Sequence, residues 1–433
     1  MVITSIQKIR IFLTILLAIA LNAQAELQII VDGGVEEPTR IAVVPFGWAG
    51  DNPLAENVSS IVANDLSRSG MFKLMAQENM LSSPELESQI FFRDWRVSGN
   101  DFMLIGSMKP SPSGISATVE LYDILTEKKI WSQTIDSSGS DLRDIAHYIA
   151  DEVFQKITGI RGAFATKVVY VTVQGLGTNL KYRLQMADSD GARAQTILAS
   201  KEPILSPTWS RDGKKLAYVS FETDRPAIYI QHLSSGKRQK IESFKGINGA
   251  PAWSPSGNKL AIVLSKDGNP EIYVLDLQSG ALERLTRHFG IDTEPTWSPD
   301  GQSILFTSDR AGRPQIYSID VTSRALKRLT FKGSSNSRGR LTQDGRFLTL
   351  VHQDSSGYHI AVQDLQSNRL DILTNSRDDE SPTIAPNGVV ILYATKAGGR
   401  GVLAGVSLDG KIKFRMPNSA GDVREPAWSP FLN

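Results

Sequence analysis

At 433 residues, 41% of them hydrophobic and 21% charged, the chain has the composition of a globular protein with room for two domains and large cores. Its 47 basic and 46 acidic side chains leave a net charge of +1, and no basic run appears, so neither nucleic acid nor an anionic membrane surface is expected as a partner. There is no cysteine, which excludes thiol catalysis, thiolate metal sites and disulfides.

Residues 1–25 read as a cleavable export signal. Lys8 and Arg10 supply the positive start, Ile11 to Leu21 an apolar stretch too short to span a bilayer, and Ala23-Gln24-Ala25 a small-x-small cleavage site. An exported chain of this size without cysteine suits a bacterial periplasm, with no membrane insertion of the mature protein.

From Glu26 to about residue 160, strands mix with helices and nothing repeats. Glu26 to Val31 is a short strand-forming stretch before Asp32-Gly33-Gly34, and Arg40 to Phe46 reads as a buried strand. Residues 53–69 read as an amphipathic helix with Leu54, Val58, Ile61, Val62 and Leu66 on one face and Gly70 closing it. Strands near 71–75 and 102–106 follow, then a hairpin of Ile115 to Leu125 with Lys129 to Ile135. A second helix is expected from Ser140 to Gly159, with Asp141 and Asp144 in its first turn. This predicts a small α/β domain over 26–160, with Gly159 to Thr166 as linker.

Beyond the linker one motif recurs. Pro207-Thr208-Trp209-Ser210, Pro251-Ala252-Trp253-Ser254 and Pro295-Thr296-Trp297-Ser298 are followed by weaker copies at Gly339 and Pro382, and the chain ends within Pro426-Ala427-Trp428-Ser429. The steps are 44 residues, once 43. A period of roughly 40–45 residues is that of a propeller blade, a four-stranded sheet that cannot bury both faces until neighbours stack on it. Val168 to Val171 resembles a second strand lacking its first, whereas the last motif is a first strand lacking its second. Pairing the two completes a sixth blade and removes the open edges. The fold class is therefore two domains, a small α/β domain followed by an all-β six-bladed propeller over 161–433, closed by its N- and C-terminal strands. The motif tryptophans are expected between blades, each burying about 200 Å².

Catalytic signatures are missing. There is no Gly-x-Ser-x-Gly, and none of the five histidines stands in a His-Glu-x-x-His array. Gly405 to Lys411 has phosphate-loop spacing but Ile412 where Ser or Thr is required, and Asp409-Gly410 is better explained as a turn. His147 reads as a half-exposed helix residue. The loops before the innermost strands should gather at one mouth of the central channel, where Glu294, Glu380 and Glu425 recur at nearly one offset beside Arg338 and Arg424. That pattern fits a charge-balanced rim or a partner or cation site. A hard cation such as Ca²⁺ would suit an all-oxygen cluster, although no loop carries a dedicated ligand spacing. Six-bladed propellers also host lactonase-like metal hydrolases and other solute binders, so fold alone does not decide. Against that alternative, the mouth lacks a His or Asn set and the chain ends on the strand that closes the ring.

Val43-Val44-Pro45-Phe46-Gly47-Trp48-Ala49-Gly50, the turn Ser308 to Tyr317 and the terminal Pro-Ala-Trp-Ser-Pro, behind an export signal, resemble the TolB family of the Gram-negative Tol-Pal system over essentially the whole mature chain. The resemblance implies a periplasmic, monomeric, non-enzymatic adaptor with no cofactor. It supports outer-membrane integrity and constriction at cell division, and colicins exploit it. By position, the resemblance places the peptidoglycan-associated lipoprotein Pal at Asn248, Gly249, Ala250, Thr293, Glu294, Asp379 and Glu380. It places TolA at the mature N-terminus, Glu26, Leu27, Gln28, Ile29, Ile30, Val31 and Asp32, with other outer-membrane proteins as further partners. Family members often carry His before Asn-Gly-Ala-Pro; here Ile247 stands there and cannot supply that hydrogen bond.

Overall fold

The computed structural model describes residues 29–31 by backbone, and 38–138, 141–416 and 421–432 in full. The export signal lies outside the described residues, as do Glu26, Leu27, Gln28 and Asp32.

In the first domain Thr39–Val43 runs parallel to Phe72–Leu74 on one side and to Phe102–Ser111 on the other. The sheet then continues antiparallel through Gly114–Asp123 and Lys128–Ser137. Successive side chains of a strand face opposite ways. Ile41 and Val43 accordingly join the core under the two long helices, while Ala42 and Val44 join a second cluster with Trp95, Met103 and Tyr122. The first helix spans Val58–Arg68 and begins later than its apolar pattern suggests, because the Asn57 side chain accepts the Ser60 N–H at 3.1 Å and caps it there. Leu54 packs on the same core from the preceding loop. The second long helix, Leu142–Thr158, stops at Gly159, whose φ of 74° favours a residue without Cβ. Ser140 lies outside the described residues. The helix Phe92–Val97 was not legible: six residues give no period, and what ties it to the sheet is buried Trp95 together with Phe92 packed edge-on against Tyr122.

Six antiparallel sheets follow. Asp422–Trp428 pairs with Lys167–Gln174, setting Trp428 opposite Val168, so the two ends of the propeller make one blade as its sequence requires. The motif tryptophans bridge blades. Trp209 Nε1 donates to Ala427 O at 3.0 Å and Trp297 Nε1 to Ala252 O at 3.1 Å, in each case to the preceding blade. Trp428 Nε1 reaches Thr166 Oγ1 at 2.8 Å, and Trp253 Nε1 is buried without a partner. In the turn after Trp297, Asp300 Oδ1 accepts from Ser298 Oγ at 2.6 Å and Gln302 N at 3.0 Å, while Gly301 takes φ 71°.

The first domain sits on the end of the propeller where these turns lie. Asn387 Nδ2 donates to Arg161 O at 3.1 Å, and the Arg161 guanidinium lies 4.0 Å from the Phe431 ring centroid. The opposite end is formed by the loops before the innermost strands. Ile29–Val31 adds a fifth strand to the last blade, Ile29 opposite Phe414 and Val31 opposite Ile412, covering that blade's outer edge.

Candidate functional site: the propeller channel and its mouth

Every innermost strand breaks register at one equivalent place, between Leu205 and Thr208, Gly249 and Ala252, Thr293 and Thr296, Ser337 and Arg340, Glu380 and Thr383, and Arg424 and Ala427. The bulged residues Ser206, Ala250, Glu294, Arg338, Ser381 and Glu425 all take φ between 45° and 55°. Left-handed backbone costs a non-glycine residue about 1–2 kcal/mol, so each bulge is held by the ladders on both sides. The next residue is proline in five of the six blades, and the missing N–H is tolerated where the ladder is already interrupted. All six bulged side chains line the channel. No glycine marks these positions, which is why the sequence did not show them.

Chemistry enters through that ring. Arg338 Nε lies 2.9 Å from Glu294 Oε1, its Nη2 lies 3.2 Å from Glu425 Oε1, and its Nη1 donates to Ser381 Oγ at 2.7 Å. One guanidinium therefore ties three blades across the lumen. Burial opposes its charge, but Glu425 and Glu294 outweigh burial and hold the proton more firmly than in a free arginine. Of the three glutamates expected at the mouth, two are thus ion-paired in the channel and only Glu380 is exposed. None of His232, His288, His352 or His359 lines the channel or the mouth pocket.

The other site residues expected from position fall into two groups. Asn248 is buried and pins its own loop, accepting from Phe244 N at 2.8 Å and donating to Phe244 O at 2.7 Å and Gly246 O at 3.1 Å. Asp379 is likewise buried and accepts from the Thr374 and Ser376 hydroxyls. Gly249, Ala250 and Thr293 are half-buried on the strands that these loops feed. What the sequence reading missed is an apolar arc on the same rim: Ile247, Phe289 (86% exposed), Ile291, Phe331 (68%) and Tyr358. Beside it lies a polar pocket of about 460 Å³ lined by Arg338, Tyr358, Asp378, Glu380, Lys396 and Arg424. Phe289 and Phe331 each follow a repeated Leu-Thr pair, at 285–286 and 329–330, which was the available signal.

The family model for the TolB beta propeller domain matches residues 154–432, and that for the TolB amino-terminal domain matches 27–130. The chain belongs to the TolB family. It is 54% identical over 428 residues to the Tol-Pal system protein TolB of Pseudomonas aeruginosa, covering 98% of this chain and 99% of that one. It is also 54% identical over 432 residues to the TolB of Pseudomonas entomophila, covering 99% and 100%. The crystal structure of TolB from Acinetobacter baumannii superposes with a TM-score of 0.87 at 42% identity, covering 94% of this chain and all of that one. These relatives are named as components of an envelope system and not as enzymes, and the two family domains correspond to the two domains of the fold.

In this TolB-family chain the two domains are joined by a buried ionic network. His147 is not half-exposed but 2% exposed, with Nδ1 2.6 Å from Asp65 of its own domain and Nε2 3.6 Å from Asp188 of the propeller, an ionic contact beyond hydrogen-bond range. Asp188 also accepts from Lys167 Nζ at 2.6 Å and Arg193 Nε at 2.7 Å, and Arg68 reaches Ser189 O at 2.7 Å. Burial opposes protonation of His147, yet Asp65 and Asp188 prevail and raise it to about 9. Burial also opposes ionisation of Asp188, but the neighbouring His147 and the hydrogen bonds from Arg193 and Lys167 hold it far below the ordinary carboxylate range. Asp65, His147 and Asp190 are close enough to share a metal ion, but Arg68 and Arg143 already pair with the two carboxylates.

Proposed function

We propose that the protein is a periplasmic adaptor of the Tol-Pal system, exported by its cleavable signal. In this reading it binds the peptidoglycan-associated lipoprotein at the propeller mouth and TolA through the mature N-terminus, in support of outer-membrane integrity and constriction. The observation that carries the reading is the apolar arc from Ile247 to Tyr358, which is exposed, Phe289 and Phe331 most of all, although the loops beneath it are pinned. Exposed aromatic anchors beside a polar pocket suit a protein partner, because burying them gains affinity without a cost in loop ordering. The adaptor reading requires no cofactor.

The strand Ile29–Val31 supports a division of labour. Docked on the last blade it is sequestered; released, it offers an unpaired edge to a partner's sheet. Partner binding at the mouth would bias that equilibrium only through a difference in affinity for the two states. The test is a pair of variants in the mature chain. Deleting residues 26–37 should abolish TolA binding and spare lipoprotein binding, whereas the double variant Phe289→Ser, Phe331→Ser should weaken lipoprotein binding about tenfold or more and spare TolA. Loss of both partners in either variant, or of neither in both, refutes the division.

A further inference from the structure

Three arginines line the channel, Arg211 exposed at its turn end and Arg338 and Arg340 further in, and of the inner two only Arg338 has a carboxylate. Two residues beyond the bulge, the inward positions are Thr208, Ala252, Thr296, Arg340, Thr383 and Ala427, which surround the chamber below the Arg338 bridge. The chamber, about 340 Å³, is lined at its turn end by Arg211, Pro255, Pro299, Gln343, Pro386 and Pro430. Of its five N–H donors, Arg340 uses one in the bonds described, Nη1 to Gly339 O at 2.9 Å. No ion pair to Arg340 occurs among the described residues. The charged residues lining the channel are Arg211, Arg338 and Arg340 against Glu294 and Glu425, an excess of one cation, and both carboxylates are committed to Arg338.

We propose that the chamber is an oxyanion site built on Arg340, taking a small phosphate, sulfate or carboxylate. The guanidinium fork matches two oxygens of such an anion, and Arg340, half-buried in the channel wall, has N–H donors left over to offer one. Threonine hydroxyls at 208, 296 and 383 stand in the same ring; Thr383 Oγ1 accepts from Trp428 N at 3.0 Å and keeps its own proton to donate. Burial, with Arg338 adding repulsion, weakens the hold of Arg340 on its proton, while Glu294 and Glu425 only partly offset this. An anion would reverse that imbalance. The site is independent of partner binding at the mouth, and its floor residue Gln343 also lines the groove of about 800 Å³ between the two domains.

The experiment titrates the mature chain in chloride buffer with sodium phosphate, sodium acetate and calcium chloride in separate arms, read by calorimetry and by the melting temperature. Phosphate or acetate should bind saturably and raise the melting temperature of the native chain, and the arm that binds identifies the class. Arg340→Met should lose at least tenfold in that affinity, with Arg340→Lys intermediate because it keeps charge but not the fork. Should Arg340→Met not fold, selenate soaked into crystals of the native chain must give an anomalous peak beside the guanidinium. Silence of both anions on the native chain, equal binding to Arg340→Met, absence of that peak, or binding of calcium alone would each overturn the proposal.

Discussion

The four motif tryptophans occupy equivalent places but not equivalent hydrogen bonds, and this gives a quantitative test of what holds the blades together. Replacing Trp209 by Phe removes the N–H that Ala427 O accepts at 3.0 Å, and replacing Trp297 does the same to Ala252 O at 3.1 Å. An acceptor left unpaired at a partly buried site costs about 1–3 kcal/mol, on top of the lost ring volume. Trp253 Nε1 has no partner, so Trp253→Phe relieves a buried donor instead of orphaning an acceptor. Trp209→Phe and Trp297→Phe should therefore be less stable than Trp253→Phe by about 1–2 kcal/mol, while Trp209→Ala should lose about 3–5 kcal/mol in all. Urea unfolding followed by far-ultraviolet circular dichroism, fitted separately for the two domains, measures each value without relying on the fluorescence being removed. If Trp253→Phe costs as much as the other two, the inter-blade bonds contribute nothing measurable and stacking alone explains the motif.

Arg338→Met should leave Glu294 and Glu425 facing each other without a counter-ion, at about 1–3 kcal/mol near pH 7, since solvent in the channel screens part of the loss; the deficit should shrink on acidification as a carboxylate takes up a proton, seen as a smaller gap between variant and parent melting curves. His147 is raised above its unfolded value to about 9, so its contribution is complete below about pH 6.5 and disappears as the pH climbs through 9. Between those limits the parent should lose on the order of 3 kcal/mol that His147→Gln never had, measured by urea midpoints across the range. Asn57→Ala should cost about 1 kcal/mol, confined to the first domain's transition, through loss of the cap on Ser60 N.

The parts of the fold that were legible are those written in repetition or in backbone chemistry. The six blades followed from the 43- and 44-residue steps, and ring closure from the unmatched strands at Val168 and Trp428. Gly159 announced the end of its helix because φ 74° leaves little other choice. Illegible features depend on contacts between distant residues. The burial of His147 requires Asp188, 41 positions away and in the other domain, so its place on an amphipathic helix carried no hint of it. The carboxylate offset at the mouth was real, but Arg338 lies on a weak copy of the motif, and only the ring brings it between Glu294 and Glu425. Asn248 and Asp379 looked like rim groups and prove to be loop pins, since a short polar side chain before a strand serves the backbone as readily as it serves a partner.

One backbone device thus carries two kinds of information. At the bulge the six blades agree in φ to within about ten degrees, because neighbouring ladders fix the chain there whatever the side chain is. The side chains at that place are Ser, Ala, Glu, Arg, Ser and Glu, since a residue turned into the lumen does not have to fill the repeated space between two sheets. The position that packs between blades stays apolar in all six, as Trp209, Trp253, Trp297, Leu341, Ile384 and Trp428. In a propeller, therefore, divergence between copies within a single chain marks the lumen and rim, where a charge such as that of Arg338, met by Glu294 and Glu425, can be placed at little cost to the scaffold. The same divergence explains how one ring can present an apolar arc over some of its blades and a polar pocket over the others without any change in its strand geometry.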